Sequence, residues 1–119
     1  MVKEKSKISK LELDREELLV LLLNDDELIE GNYSEILVKC GRSGCHCEKK
    51  PIHLVARLGI REDGTIKNKV VRVADREKVK QLTDRYRECK QALRQLEHIN
   101  EMEREILKQL IKRKNRGYV

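Results

Sequence analysis

From Asp75 to Arg116 the chain contains neither glycine nor proline, and Gly117 is the first residue that breaks the run. A stretch this long, rich in Lys, Arg, Glu, Gln and Leu, favours one conformation, the α-helix. Asp75 is a natural N-cap. A helix from Arg76 to about Arg113 would be roughly 57 Å long at 1.5 Å per residue. Val79, Leu82, Tyr86, Cys89, Leu93 and Leu96 recur at alternating spacings of three and four, which is a heptad seam. Continued strictly, the seam reaches Asn100, Glu103, Leu107 and Leu110. Asn100 at an a position can fix register, Glu103 fits poorly, and Ile99, Met102 and Ile106 indicate that the stripe drifts. Two readings follow: one long helix able to pair with a second copy over residues 76–113, or two antiparallel helices split by a turn near Asn100.

The rest of the chain has little with which to build a core. Among 119 residues there is no Phe or Trp, the only aromatics are Tyr33, Tyr86 and Tyr118, and 40% of side chains are charged. Leu, Ile and Val must supply the packing, which suits a small β unit and a long helix better than a large globule. The expectation is an α+β chain in a single domain, 1–119. Its segments are an N-terminal helical part (1–30), a knuckle and β-hairpin (31–74), and the long helix with a basic tail (75–119).

Residues 1–10 are polar and read as frayed. Asp14 stands three before Glu17, a capping-box spacing that opens a short helix from about Arg15 to Leu23. Asn24, Asp25 and Asp26 end it and cap a second turn holding Leu28 and Ile29. Gly31-Asn32 is a break, and Ser34–Lys39 is a short strand. Two extended runs follow, His53–Arg61 and Thr65–Val73, joined by Glu62-Asp63-Gly64, a hairpin signal. A three-residue loop with Gly64 left-handed pairs Ile60 with Ile66, Leu58 with Asn68 and Arg57 with Lys69. One face then gathers Leu54, Ala56, Leu58, Ile60, Ile66 and Val70. The other collects Arg57, Arg61, Lys67 and Lys69 beside Val55 and Val71. A loop of another length shifts the pairing.

Between strand and hairpin, Cys40, Cys45, Cys47 and His53 crowd into fourteen residues, with the spacing C-x4-C-x-C-x5-H. Three thiolates and one imidazole fill the tetrahedron that zinc prefers, and four protein ligands make the site structural. Such a metal would order a segment with little core of its own. Lys39, Arg42, Lys49 and Lys50 surround the loop and favour thiolates. The alternative is chance clustering. His46 between two cysteines and Cys89 on the helix are the other candidate fourth ligands, with Cys89 better read as a small seam residue. Gly41 and Gly44 supply turns, and Pro51 closes the loop.

Charge is distributed unevenly. Residues 1–30 sum to −4, from 5 basic and 9 acidic side chains; 31–75 to +4, from 9 and 5; and 76–119 to +6, from 13 and 7. A basic excess points to an anionic partner, nucleic acid first, although solvation alone also explains it. Arg57, Arg61, Lys67, Lys69 and Arg72, with Arg42, Lys49 and Lys50 of the loop, are the candidate phosphate contacts; the competing reading is a solvated outer face. Lys112-Arg113-Lys114-Asn115-Arg116 is a further patch, better read as complementing the helix dipole. No phosphate-cradling glycine loop, metalloprotease motif or nucleophile–base pair is visible, and the expectation is that the chain is not an enzyme. The absence of Phe and Trp argues against base stacking on an aromatic sheet. The apolar run Leu18–Leu23 is too short for a bilayer span or an exported leader. The expectation is an intracellular, cytoplasmic protein with reduced cysteines.

From Gly31 to about Arg94 the chain resembles a family of small cysteine-rich proteins of unknown function from bacteria, archaea and phages, often found near transposase and other mobile-element genes. The string GNYSEILVKC, the signature CGRSGCHC, a His after a short basic loop, a D-G hairpin and a long charged helix carry the likeness. It implies a zinc knuckle packed on hairpin and helix, with Cys40, Cys45, Cys47 and His53 at the ligand positions. The chain departs in having Leu54-Val55-Ala56-Arg57 where relatives have Gly-Pro and tyrosines, and Ala74-Asp75 where they often have Pro.

The leading expectation is a structural-zinc protein that binds double-stranded DNA as an accessory or regulator of a mobile element or phage, with a helix that dimerises. The alternative is a protein–protein adaptor or dimerisation module acting through the long helix. A redox sensor is a third and weaker reading, since it needs an open thiol.

Overall fold

The computed structural model describes residues 2–39 and 53–118. Helix α1 (Val2–Leu22) precedes strands β1 (Asn32–Val38), β2 (His53–Glu62) and β3 (Thr65–Val71). A 3-10 turn (Val73–Asp75) then leads into helix α2 (Arg76–Lys114). The α+β class follows directly. The strands form one antiparallel sheet in the order β1-β2-β3. The chain divides into two compact units, residues 27–87 and residues 1–26 with 88–119. Helix α2 contributes its first turns to one and the remainder to the other.

In the 27–87 unit the core is Ala56, Leu58 and Val71, packed by Ile29, Tyr33, Ile60 and Val79. Every sheet residue in that set lies on one face. Leu82 and Thr83 of α2 are also buried, and the Thr83 hydroxyl donates to the Lys80 carbonyl at 3.0 Å. The segment after α1 is held on α2 by backbone: Ile29 N–H donates to the Leu82 carbonyl at 3.1 Å and Arg85 to the Glu27 carbonyl at 3.2 Å. The expected second helical turn at Leu28 and Ile29 is absent. Instead the Asn24 side chain accepts the Asp26 N–H at 2.5 Å, an Asx-type turn that directs the chain away from helix. Gly31 sits where a Cβ would lie 2.9 Å from the Gly59 carbonyl oxygen, so the break is also a close backbone approach.

The hairpin register differs from the sequence expectation by one residue. Asp63 and Gly64 have φ of 51° and 80°, and Glu62 pairs with Thr65. The loop is therefore two residues with left-handed backbone at both positions, the turn whose twist matches paired strands. Asp tolerates that conformation because its short side chain bonds locally. Ile60 faces Lys67, Leu58 faces Lys69 and Arg57 faces Val70. A one-residue slip moves every β3 side chain to the other face: Val71 joins the core, while Val70 and Ile66 turn outward.

In the other unit α1 and α2 run antiparallel. Arg15 ion-pairs with Glu103 at 2.7 Å and with Glu12 at 2.6 Å, and also bonds Asn100, while Arg113 pairs with Glu4. Along α1 the residues withdrawn from solvent are Glu4, Ile8, Leu11, Arg15, Leu18 and Leu22, a heptad spacing. This overturns the expected short helix from Arg15, the frayed 1–10 segment and the Asp14/Glu17 capping box, since Asp14 lies mid-helix. The N-terminal half of α1 is helical because its stripe continues through Glu4, Ile8 and Leu11.

Helix α2 is one continuous helix through Asn100, not two. Its seam follows the expected positions to Cys89, after which every second position moves back by one residue. Ala92 is 3% exposed and Leu93 50%; beyond, Leu96, Glu103 and Leu110 turn inward as the heptad count expects, while Ile99 and Ile106 take the places of Asn100 and Leu107. The spacing from Cys89 to Ala92 is three where a strict heptad needs four, so the stripe jumps one position at the smallest apolar side chain available. Within each unit this seam is filled by the chain's own residues.

Candidate nucleic-acid interface

The sheet has one face on the core and one turned away from it. The core face holds Leu54, Ala56, Leu58 and Ile60 with Tyr33, Glu35, Leu37, Lys67, Lys69 and Val71. Pairing and alternation place His53, Val55, Arg57, Gly59 and Arg61 of β2 on the outer face. They are flanked there by Asn32, Ser34, Ile36 and Val38 of β1 and by Ile66, Asn68 and Val70 of β3. A Cβ built at Gly59 would meet the Asn68 side-chain oxygen at 3.2 Å and Ile66 at 3.7 Å, so both stand beside it on that face.

The four expected hairpin cations therefore do not share a surface. Arg57 and Arg61 are on the outer face. Lys67 and Lys69 are on the opposite side, where both approach the Glu62 carboxylate, at 3.4 and 3.6 Å. Those ion pairs are exposed and contribute little to stability, but they lower the local positive charge. On an edge strand, lysines also discourage pairing with another sheet. Arg72 is exposed just before the 3-10 turn, and its carbonyl accepts the Asp75 N–H at 2.9 Å.

The outer face carries no carboxylate among the described residues of the three strands. Its polar groups are two guanidinium groups, two amides, a hydroxyl and an imidazole, set among Val, Ile and Gly. Arg57 is half-buried and Arg61 exposed. Four residues apart on one strand, they are separated by about 13 Å, roughly four base-pair rises of B-DNA. Sequence reasoning missed Asn32, Ser34 and Asn68 as neighbours, because only the turn register brings Asn68 beside Arg57 and Arg61. The acids of the sheet lie elsewhere. Tyr33 donates to Glu35 at 2.6 Å on the core face, and that bond to a carboxylate raises the phenol's pKa.

Cys40, Cys45, Cys47, Arg42, Lys49 and Lys50, with His46, lie outside the described residues. His53, the remaining expected zinc ligand, is the first residue of β2 and stands opposite Val38, the last residue of β1. Among the described residues there is no cluster of three metal-ligating side chains. Cys89 is a half-buried free thiol on α2. His98 borders a groove with Asp14, Glu17, Leu18, Gln91, Arg94, Gln95 and Ile99. No helix among the described residues is long and apolar enough to cross a membrane. No family model matches the chain, and neither a curated protein nor a solved structure matches it.

Proposed function

We propose that the chain is a small zinc-stabilised protein that binds duplex DNA through the outer face of its sheet, as an accessory or regulatory factor. The observation that carries this reading is the outer face itself: Arg57 and Arg61 stand among amides and small apolar side chains without a carboxylate among its described residues. Cations contact phosphates, and Asn side chains can read base edges, which is how strand-based readers engage a groove. The paired Lys67 and Lys69 are assigned no contact. The zinc reading rests on the donor set Cys40, Cys45, Cys47 and His53. The pairing of Val38 with His53 supports it, because the chain leaves and re-enters the sheet at neighbouring points and a metal there would clip a closed loop. Arg42, Lys49 and Lys50 fall in that loop and extend the basic set. Reduced thiolates for zinc fit the cytoplasm. The mobile-element setting rests on the resemblance of the cysteine segment alone.

The test is binding of the metal-loaded chain to duplex DNA over a range of salt concentrations. Affinity should fall steeply with salt, and Arg57→Ala with Arg61→Ala should reduce the slope of log K against log salt by about 2. Lys67→Ala with Lys69→Ala should leave it nearly unchanged. No binding at low salt, or equal loss from both pairs, refutes the assignment.

A further inference from the structure

We infer that one side of the α1–α2 pair is an interface for a second copy of this chain. Both long sides of the pair mix charged and apolar side chains, and one is the more apolar. The less apolar side is a groove lined by Asp14, Glu17, Gln91, Arg94, Gln95 and His98 together with Leu18 and Ile99. The other is lined on α1 by Ile8, Leu13 and Leu19 and on α2 by Leu107 and Ile111, and its two halves meet at Arg15. Val20 lies seven residues after Leu13 and continues its stripe, and Leu93 lies fourteen before Leu107 on the same phase. Leu13 is 64% exposed and Ile111 65%. A charged chain with so few large apolar side chains leaves several of them on one side of two helices, and a contiguous patch of that kind marks an interaction surface.

Area and charge identify the occupant. Helix α1 has 21 residues, so the pair presents a side about 31 Å long and two helix diameters wide, about 650 Å² per copy. Two such sides bury about 1,300 Å², within the range of stable specific interfaces. Two antiparallel pairs stacked face to face form a four-helix bundle. The charges choose between the two-fold arrangements. Glu12 and Glu16 border the α1 half of the surface, while Arg104 and Lys108 border the α2 half. Stacking α1 on α1 opposes like charges. Stacking α1 of one copy on α2 of the other opposes acid to base twice, as an isologous interface requires. Arg15 faces Glu103 and Glu4 faces Arg113 within the chain. A two-fold axis parallel to the helices keeps those heights and brings Glu16 of one copy within a turn of Arg104 of the other. The Arg15–Asn100–Glu103 polar group then lies under the new interface, where it fixes register.

The experiment is sedimentation equilibrium of the full metal-loaded chain across the micromolar range, with circular dichroism as a control for folding. The wild-type chain should be a dimer. Leu13→Glu with Ile111→Glu should weaken dimerisation about 100-fold or more while helicity is retained, because both side chains are exposed in the single copy. Glu16→Lys should also weaken it, and adding Arg104→Glu should restore it. A monomeric wild-type chain, or a dimer insensitive to Leu13→Glu with Ile111→Glu, overturns the interface. A Glu16→Lys defect that Arg104→Glu does not repair overturns the α1-on-α2 arrangement.

Discussion

Truncating two adjacent valines tests the hairpin register. Val71 is 8% exposed and packs with Ala56 and Leu58, whereas Val70 is 74% exposed on the outer face. Both lie in β3, so intrinsic strand preference is nearly the same for each and cancels in the comparison. Val→Ala removes two methyl groups, and each buried carbon contributes about 0.8 kcal/mol. At Val71 nearly all of that is lost, and incomplete collapse of the site adds a cavity cost, for a total of about 2 kcal/mol. At Val70 only about 0.4 kcal/mol of transfer energy is at stake. The expected ratio of folding constants between the two variants is therefore on the order of ten- to thirtyfold, with Val71→Ala the weaker. Urea unfolding followed by circular dichroism, with a common m-value, measures it. A three-residue loop would reverse the order, so Val70→Ala costing as much as Val71→Ala refutes the two-residue turn and, with it, the separation of Arg57 and Arg61 from Lys67 and Lys69.

Two further outcomes are expected. Burial of Glu103 raises its pKa, and a hydrogen bond that its protonated carboxyl donates to Glu12 adds to this, outweighing the opposite pull of Arg15. With its pKa raised on folding, Glu103 binds its proton more tightly in the native state, so stability falls as pH rises from the ordinary carboxylate range through the native pKa. Glu103→Gln should flatten that part of the stability–pH curve, as read by denaturation at stepped pH; an unchanged slope counts against it. For the metal, mass spectrometry under native conditions should find one zinc per chain, lost in Cys45→Ser, and chelation should lower the melting temperature of the wild-type chain. A chain that purifies without zinc and is indifferent to chelator removes the structural-zinc reading.

The features legible in the sequence were those governed by local rules. The Asp-Gly hairpin, the strand before the cysteines and the helical character of the C-terminal segment follow from turn chemistry, alternation and the absence of breakers, although whether that segment is one helix or two stayed open. What escaped depended on partners distant in sequence. Helix α1 reads as short and polar at its start because two of its inward positions are the charged Glu4 and Arg15. Their counterparts, Arg113 and Glu103, come from the far end of the chain. The seam of α2 shifts at Ala92 because packing against another element selects the residues, and a strict heptad count puts Leu93 there instead. The basic cluster failed for a smaller reason. One residue in the turn decided which β3 side chains share a face with Arg57, and Asp63 adopts a conformation that composition alone does not reveal.

The Arg15–Glu103 contact joins residues 88 positions apart. During synthesis, α1 is made before the α2 surface it packs against, with the whole of residues 27–87 in between. The sheet, by contrast, is contained within 27–87 and is complete in sequence before that surface exists. Until residues 88–119 follow, the inward side chains of α1 lack the surface they pack against. Folding of the two units is ordered by topology, the contiguous one first and the one built from both chain ends afterwards.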